Sequence, residues 1–401
     1  MNTFRSIALS SSIALCLEAV SFGQHYAPTK LQANAPGFAE ATDPVLINPW
    51  GLTRTSGSPW WAADNKTGFA TLYNGPGTKQ SLTVTIPPAD PNNPMTPVGS
   101  PTGIIDNGST TDFLLAPGTP ADFIFVTHDG TIAAWNPNVG LANGAAPPST
   151  HAVTVVKSTD GSVFTGVTRA LVNDKRYLYI ANFGKGRVDV YDNAFHRVDL
   201  DNTNNNNSQA NQNNSQANQP FEDPQLPGDY VPYNVATIGN DVVVTFVLAP
   251  AGQPSATAGP GFGYVDIFSS NGQLLQRLEH GSWLNVPWGV TMAPLDFGRF
   301  SHDLLVGQFG NAGTTESAGF IAAYDLATGK LDGLLQDTSG KPLVIQGIWS
   351  LEPANVSPTS LDPDDAPLAQ VYFTAGPNDQ TAGLFGYLTT VSAELTQGSN
   401  Q

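Results

Sequence analysis

The chain has 401 residues, of which 40 are Gly, 32 are Pro and 12% are charged. This composition favours short strands joined by turns over helices, which are rich in Ala, Leu, Glu and Lys. The 33 acidic residues outnumber the 16 basic ones and give a formal charge of −17, which excludes nucleic acid as an expected partner because a phosphate backbone would be repelled.

Residues 1–23 have the pattern of a signal peptide. Arg5 precedes a short apolar run, IALSSSIALCLEAV, and small residues follow it. The run is too short to be a permanent membrane span, which needs roughly 20 apolar residues. The sequence therefore predicts export, with a secreted or periplasmic location. Cys16 is the only cysteine and lies inside this segment, so the exported chain would hold neither a disulfide nor a thiolate metal site.

A repeated unit begins at Asn48. Its clearest copy, residues 48–74, has an entry turn (NPWG), an apolar strand (Trp60–Ala63), a polar Gly-bearing turn and a further strand (Phe69–Tyr73). Similar units begin near residues 48, 101, 164, 231, 286 and 346. Their entry turns align when the following positions are taken as equivalent: Gly51, Gly103, Gly166, Asn234, Gly289 and Gly347.

A unit of roughly 50 residues with three or four short strands has the size of one propeller blade. Six units predict an all-β chain that forms a single six-bladed β-propeller over residues 24–392. The sixth unit lacks an outer strand. We expect Tyr26–Gln32 to supply it, which would close the ring and cover an exposed sheet edge.

Three segments inside this range depart from the blade pattern, and the C-terminal end lies beyond it. The first, PPADPNNPMTP at residues 87–97, predicts a Pro-rich loop. Residues 201–219 are an Asn/Gln/Ser tract, DNTNNNNSQANQNNSQANQ, with no apolar residue larger than Ala, which predicts a disordered loop within the propeller. Residues 355–367 are rich in Pro and Asp and predict a surface loop. Residues 393–401 are polar and predict a disordered tail.

The pattern Pro-x-Gly-Val/Leu, apolar strand, Asn or Asp, Gly and a second apolar strand resembles NHL-type, TolB-like propeller repeats. More specifically, TDPVLINPWGL followed by WWAADNKTGFATLYNGPG is similar to an uncharacterised family of secreted bacterial proteins, some of which carry a C-terminal PEP-CTERM sorting segment. The C-terminal VSAELTQGSNQ lacks the apolar tail of such a segment. NHL propellers in general imply binding of proteins, glycans or nucleic acid, and in a minority of cases catalysis.

In such a ring, the entries into the first strands and the turns between second and third strands open on one face around the central channel. We call this the entry face, and we expect it to carry Asn48, Asp64, Asn65, His128, Asp129, Asn182, Asn285, Gln308, Asn311 and Asn378. Amide and carboxylate oxygens suit Ca²⁺. The alternative, which we favour, is that Asn and Asp stand there because turns tolerate them at positive φ.

Four side chains of this region have two interpretations each. Trp50 and Trp288 could stack on sugars or other flat ligands, but wedges between blades are the commoner use of such residues. His128 is the one histidine in a turn of this kind, so His128 and Asp129 are the candidates for acid–base catalysis, although Asp-Gly at 129–130 also suits an ordinary hairpin.

The sequence therefore predicts an exported monomer that acts as a binding or interaction scaffold for an unknown protein, glycan or small molecule. No cofactor is expected, with Ca²⁺ as the possible exception. The alternative hypothesis is a metal-dependent lactonase- or esterase-like hydrolase that uses the channel oxygens and His128.

Overall fold

Six sheets arranged around a channel make up the fold. The computed structural model describes residues 24–142, 144–200, 220–250, 255–310, 319–354 and 369–391. The predicted signal peptide, the tract at 201–219, Asn311, the loop at 355–367 and the tail at 393–401 lie outside these residues. In the described ranges, no helix is both long and apolar enough to cross a membrane.

The strands follow one another blade by blade. Before the first blade lie β1 (Tyr26–Ala33) and β2 (Ala41–Thr42). Blade 1 contains β3 (Pro49–Thr53), β4 (Trp60–Asp64), β5 (Phe69–Tyr73) and β6 (Lys79–Thr85). Blade 2 contains β7 (Pro101–Asp106), an inserted hairpin of β8 (Leu114–Ala116) and β9 (Thr119–Pro120), then β10 (Phe123–Thr127), β11 (Thr131–Trp135) and β12 (Val153–Lys157). Blade 3 contains β13 (Phe164–Val172), β14 (Lys175–Asn182), β15 (Arg187–Tyr191) and β16 (Arg197–Val198).

Blade 4 contains β17 (Tyr230–Ile238), β18 (Asp241–Leu248), β19 (Gly263–Phe268) and β20 (Leu274–Arg277). Blade 5 contains β21 (Pro287–Met292), β22 (Leu304–Gln308), β23 (Ile321–Asp325) and β24 (Lys330–Leu334). Blade 6 contains β25 (Ile348–Pro353), β26 (Val371–Ala375) and β27 (Leu384–Thr390). Short helical turns occupy Phe183–Lys185, Gly298–Phe300 and α1 (Pro377–Gln380).

The first strands of the blades form the wall of the channel. Each contacts the first strand of the next blade, in the order β3, β7, β13, β17, β21 and β25, and β25 contacts β3. The second, third and fourth strands follow outward in each sheet. The second strands β4, β10, β22 and β26 are buried at every position because neighbouring blades cover both of their faces. The prediction of a six-bladed β-propeller is confirmed.

The ring closes through β1, which is the outer partner of β27. The two strands are antiparallel, with Tyr26 opposite Thr390 and Ala33 opposite Leu384. Tyr26 also reaches blade 5, since its ring lies 4.8 Å from that of Phe297 and its Oη donates to the Phe297 carbonyl at 2.9 Å. The predicted closure by an N-terminal strand is therefore confirmed.

Every first strand has a bulge near its beginning, where its pairing with the second strand shifts. In blade 6 the shift lies between Ile348 and Leu351, so Ser350 occupies the position of Gly51 and Gly289. The alignment of Gly347 with those glycines is wrong. Gly347 lies in the preceding turn with φ +68°, where glycine is favoured for a different reason.

Candidate functional site

Four aromatic side chains fill the middle of the channel. They lie within the bulges of β3, β17, β21 and β25 and are at most 8% exposed: Trp50, Tyr233, Trp288 and Trp349. The Trp50 and Trp349 rings stack with centroids 3.8 Å apart. Trp288 meets both edge-on, at 6.1 and 5.9 Å, and Tyr233 lies 6.1 Å from Trp50. We call these four residues the aromatic plug.

Hydrogen bonds fix the plug in place. Trp288 Nε1 donates to the Thr165 carbonyl at 2.9 Å, which joins blade 5 to blade 3 across the channel. Trp349 Nε1 donates to Asn48 Oδ1 at 2.9 Å. Because these donors hold the rings and the rings pack on one another, the plug divides the channel into two separate ends.

On the entry face, Asn48 and Asn65 connect three blades. The Asn48 amide nitrogen donates to Asn65 Oδ1 at 3.2 Å and to Gln380 Oε1 at 3.0 Å. Asn65 Nδ2 donates to the Pro101 carbonyl at 3.2 Å. Asn48 is fully buried and has φ +51°, a conformation that Asn tolerates better than most residues. These two amides therefore use their hydrogen-bonding groups to join blades 6, 1 and 2.

Three other amides of the predicted set are also buried and bonded. Asn182 Nδ2 donates to Ser162 Oγ at 2.9 Å and to Asp189 Oδ2 at 2.6 Å. The Asn285 backbone N–H donates to Gln308 Oε1 at 2.9 Å, and Asn285 Oδ1 accepts from the Gly259 N–H at 2.8 Å. These side chains fasten strand ends and loops.

The two carboxyl groups of the predicted set each accept a hydrogen bond through Oδ2, while Oδ1 of each is buried without a partner among the described residues. Asp64 is fully buried, and its Oδ2 accepts from Thr71 Oγ1 at 2.8 Å. Burial raises the pKa of Asp64 well above its usual range. Asp129 Oδ2 accepts from the Ala89 N–H at 2.7 Å. Asn378 is exposed at φ +53°, in the turn before the last strand.

His128 stands on the entry side of the plug, with its ring 4.9 Å from the Trp50 ring. His128 is exposed to solvent, but nearby protein atoms remove part of the hydration of the imidazole. These surroundings lower the pKa of His128 to about 4, and the positive charge of Lys66 adds to the effect while Asp129 opposes it. The imidazole is therefore neutral at physiological pH, and its pKa lies well below the range in which a general base is most effective.

Over the described ranges, no group of three or more His, Cys, Asp or Glu side chains is placed to hold a metal ion. The oxygens of Asn65, Asn285 and Gln308 on the entry face already accept hydrogen bonds within the protein.

At the other end of the channel, beyond the plug, lies a cavity with a volume of about 510 Å³, which we call the far cavity. Trp288 lines its inner end, and Gly239 and Pro353 line its outer end. The later residues of the six first strands form its wall. Two successive rings of equivalent positions contribute Thr53, Ile105, Thr168, Ala236, Thr291 and Glu352, then Arg54, Asp106, Arg169, Thr237, Met292 and Pro353.

Three of the four charged residues that line the far cavity are held by contacts with described residues. Arg169 Nη2 contacts Asp106 Oδ2 at 2.7 Å, and Arg169 Nε donates to the Asn107 carbonyl at 2.8 Å. Arg54 donates to the Ala354 carbonyl at 3.1 Å, and its guanidinium lies over the Trp60 ring at 5.0 Å. These contacts fix both cations against the wall.

Glu352 differs from its neighbours. The side chain is half-buried and forms no hydrogen bond or ion pair with any residue of the described part of the chain. Burial, with a further contribution from the charge of the nearby Asp106, raises the pKa of the Glu352 carboxyl to about 8. A carboxyl group that faces a cavity without a protein partner is a candidate ligand contact.

Of the candidate residues predicted from the sequence and described by the structure, only Trp288 lines the far cavity. A pattern that could have revealed it is the end of the first strands, where GLTR, GIID, GVTR and SLE each place a charged residue two or three positions after the initial Gly or Ser. In a ring of first strands, these ends meet at one mouth of the channel.

No family model matches the chain. Two uncharacterised proteins of Acanthamoeba polyphaga mimivirus are similar to it. One is 28% identical over 364 residues, which cover 89% of this chain and 78% of the relative. The other is 28% identical over 369 residues, which cover 89% of this chain and 84% of the relative.

Among solved structures, the chain is similar to a PQQ-bound aldose sugar dehydrogenase from Streptomyces coelicolor, with a TM-score of 0.49, 11% identity, and coverage of 91% of this chain and 98% of the other. A streptogramin B lyase gives a TM-score of 0.46 and 11% identity, with coverage of 92% and 98%. The sequence relatives are viral, which corrects the expectation of bacterial relatives: over most of its length, the chain is similar to a set of mimivirus proteins.

Proposed function

We propose that the protein is an exported, monomeric binding scaffold whose ligand site is the far cavity. A volume of about 510 Å³ lies within the roughly 300–1,000 Å³ of small-molecule sites. The plug closes the inner end, so the cavity is a blind pocket in a rigid ring. Export rests on the pattern of residues 1–23.

One observation carries this proposal: Glu352 brings a carboxyl group into the cavity without a partner among the described residues. On the entry face, by contrast, most of the expected binding residues form hydrogen bonds inside the protein. The hydrolase hypothesis rests on His128 and on those same oxygens, and none of the contacts described above favours it.

Filling the cavity tests the proposal. Thr53 is half-buried, lines the cavity and forms no side-chain hydrogen bond with a described residue, so Thr53→Trp should occupy the space without removing a polar contact. Thr154→Trp, on the exposed outer strand β12, is the matched control. Wild type and both variants are screened against a small-molecule library by ligand-observed NMR.

We expect compounds that bind wild type and Thr154→Trp but lose binding to Thr53→Trp. A circular dichroism spectrum and melting curve establish that both variants are folded. If every bound compound binds Thr53→Trp as well as it binds the wild type, or if no compound binds the wild type, the far cavity is not the ligand site.

A further inference from the structure

One of the four charged residues that line the far cavity forms no hydrogen bond or ion pair with a described residue. Asp106 neutralises Arg169 at 2.7 Å. Arg54 contacts the Ala354 carbonyl and the Trp60 ring. The parts of β17 and β21 that line the cavity contribute no charged side chain, since their residues there are apolar, Thr or Asn234, whose Nδ2 donates to the Trp288 carbonyl at 2.7 Å. Glu352 on β25 is thus the one ionisable group of this wall that lacks a described contact.

The wall also offers hydroxyl groups. Thr168 and Thr237 share a hydrogen bond of 2.8 Å, and Thr237 Oγ1 donates to the Arg169 carbonyl at 2.8 Å, so this pair is satisfied. Thr53 and Thr291 line the same cavity, and neither hydroxyl bonds to a residue that the structure describes. A ligand that enters therefore meets the Glu352 carboxyl, which has no described partner, and the available hydroxyls of Thr53 and Thr291.

On the basis of the proposed function, we propose that the far cavity binds a small organic cation that carries a hydroxyl group, with the Glu352 carboxylate as its counter-ion and the Thr53 and Thr291 hydroxyls as hydrogen-bonding partners. The formal charge of −17 favours the approach of a cation over that of an anion. The inner wall, formed by Trp288, is apolar and suits the carbon groups of such a ligand.

A bound cation would stabilise the ionised form of the Glu352 carboxyl, which its surroundings disfavour. Burial and the charge of Asp106 both oppose ionisation of Glu352, and Arg54 and Arg169 are held by other contacts. Since a cation binds the ionised carboxyl, binding must release a proton at any pH below the pKa of about 8. A neutral ligand that accepts a hydrogen bond from the protonated carboxyl would show the opposite pH dependence.

Choline and its uncharged carbon isostere, dimethylbutanol, test the proposal. Choline keeps its charge at every pH, so any change in its affinity with pH reports on the protein. Affinity is measured by calorimetry at pH 6 and pH 9. We expect choline to bind up to about 100-fold more tightly at pH 9, because the ionised fraction of a carboxyl with this pKa rises from about 1% to about 90%.

Variants separate the role of Glu352 from a general charge effect. Glu352→Gln should abolish both choline binding and its pH dependence, and Glu352→Asp should retain part of each. Glu40→Gln removes one negative charge from an exposed loop position and should leave choline binding unchanged. Equal affinity for dimethylbutanol, an affinity that does not vary with pH, or unaltered binding to Glu352→Gln would each overturn the proposal.

The two proposals fail differently. One outcome is that choline fails to bind wild type at millimolar concentration while other compounds bind wild type and lose binding to Thr53→Trp. In that case the cation class is wrong, and the far cavity remains the ligand site. If no compound loses binding to Thr53→Trp, the far cavity is not the ligand site.

Discussion

At the scale of single residues, the carboxyl of Asp266 is kept protonated by its surroundings. It is 2% exposed in β19, and burial raises the pKa of Asp266 to about 8. The carboxylate of Asp223 adds to this shift, while Arg277, which donates two hydrogen bonds of 2.5 Å to Asp223, opposes it. Since Asp266 in the unfolded chain ionises at its ordinary pKa of 3.8, the folded state holds an extra proton between about pH 4 and pH 8.

The free energy of unfolding should therefore fall as pH rises through this window. Asp266→Asn removes the titration and should flatten the profile, with the variant more stable than wild type at pH 9 by roughly 1–3 kcal/mol. Urea unfolding at pH 5, 7 and 9 measures the effect. Asp241→Asn, at the exposed start of β18, is the control. Identical pH profiles for Asp266→Asn and wild type would show that Asp266 is ionised in the folded state.

Single residues also show which contacts the sequence does not predict. The matching entry turns indicate that Trp50 and Trp288 are equivalent, but they do not indicate Trp349. The reason is that aligning Gly347 with the other glycines shifts the alignment of blade 6 by three positions. The plug forms only when residues from four blades meet in the channel. A repeat pattern indicates that such residues are equivalent, whereas their contacts depend on how the ring closes.

At the scale of elements, neighbouring first strands approach one another so closely at two glycine positions that no side chain would fit there. A Cβ added at Gly289 would lie 2.3 Å from the Trp349 carbonyl oxygen, and one added at Gly51 would lie 2.7 Å from the Thr102 carbonyl oxygen. The obstacle in each case is backbone of the next blade, which has little freedom to move. The glycine of the Pro-Trp-Gly turn is thus required by the packing of β21 against β25.

Gly289→Ala should lower the free energy of unfolding by roughly 1–3 kcal/mol or more, because the added methyl group forces β21 and β25 apart. Gly57→Ala is the matched control, since a Cβ at Gly57 meets no atom within 4 Å. That variant should stay within about 0.5 kcal/mol of wild type. Equal effects of the two substitutions in chemical denaturation would contradict the close approach.

Elements differ in how well the sequence predicts them. The second and third strands of the blades were recognised because burial on both faces makes them almost continuously apolar, as in β10 and β26. Outer strands such as β12 and β20 are largely exposed and carry mixed residues, so no comparable pattern marks them. The charged ends of the first strands were passed over because polar residues at a strand end usually mean solvent.

At the scale of the whole molecule, six blades and their closure followed from counting units and noting that the sixth lacked an outer strand. β1 supplies that strand and buries Tyr26 and Leu31, which are 1% and 4% exposed. Removing it would leave the edge of β27 unpaired along its length. The identity of the ligand could not be inferred in this way, because repeats determine the ring and not the residues that face its channel.

A chain that lacks residues 26–33 should melt roughly 10 °C lower than the wild type and should self-associate, since β27 then offers an open edge. A synthetic peptide of the same sequence should restore part of the melting temperature. Lys30→Ala, which changes an exposed side chain within β1, is the control and should have little effect. An unchanged melting temperature after the deletion would refute the role of β1 in closure.

The pairing of β1 with β27 also has a consequence for the order of events during folding. β1 is among the first described segments to be synthesised and β27 is the last, so the ring cannot close until nearly the whole chain is available. Until then β1 has no antiparallel partner, and the growing set of blades has two unprotected sides. Closure joins segments far apart in sequence, which makes it an expected slow step and the stage at which the chain most needs protection from aggregation.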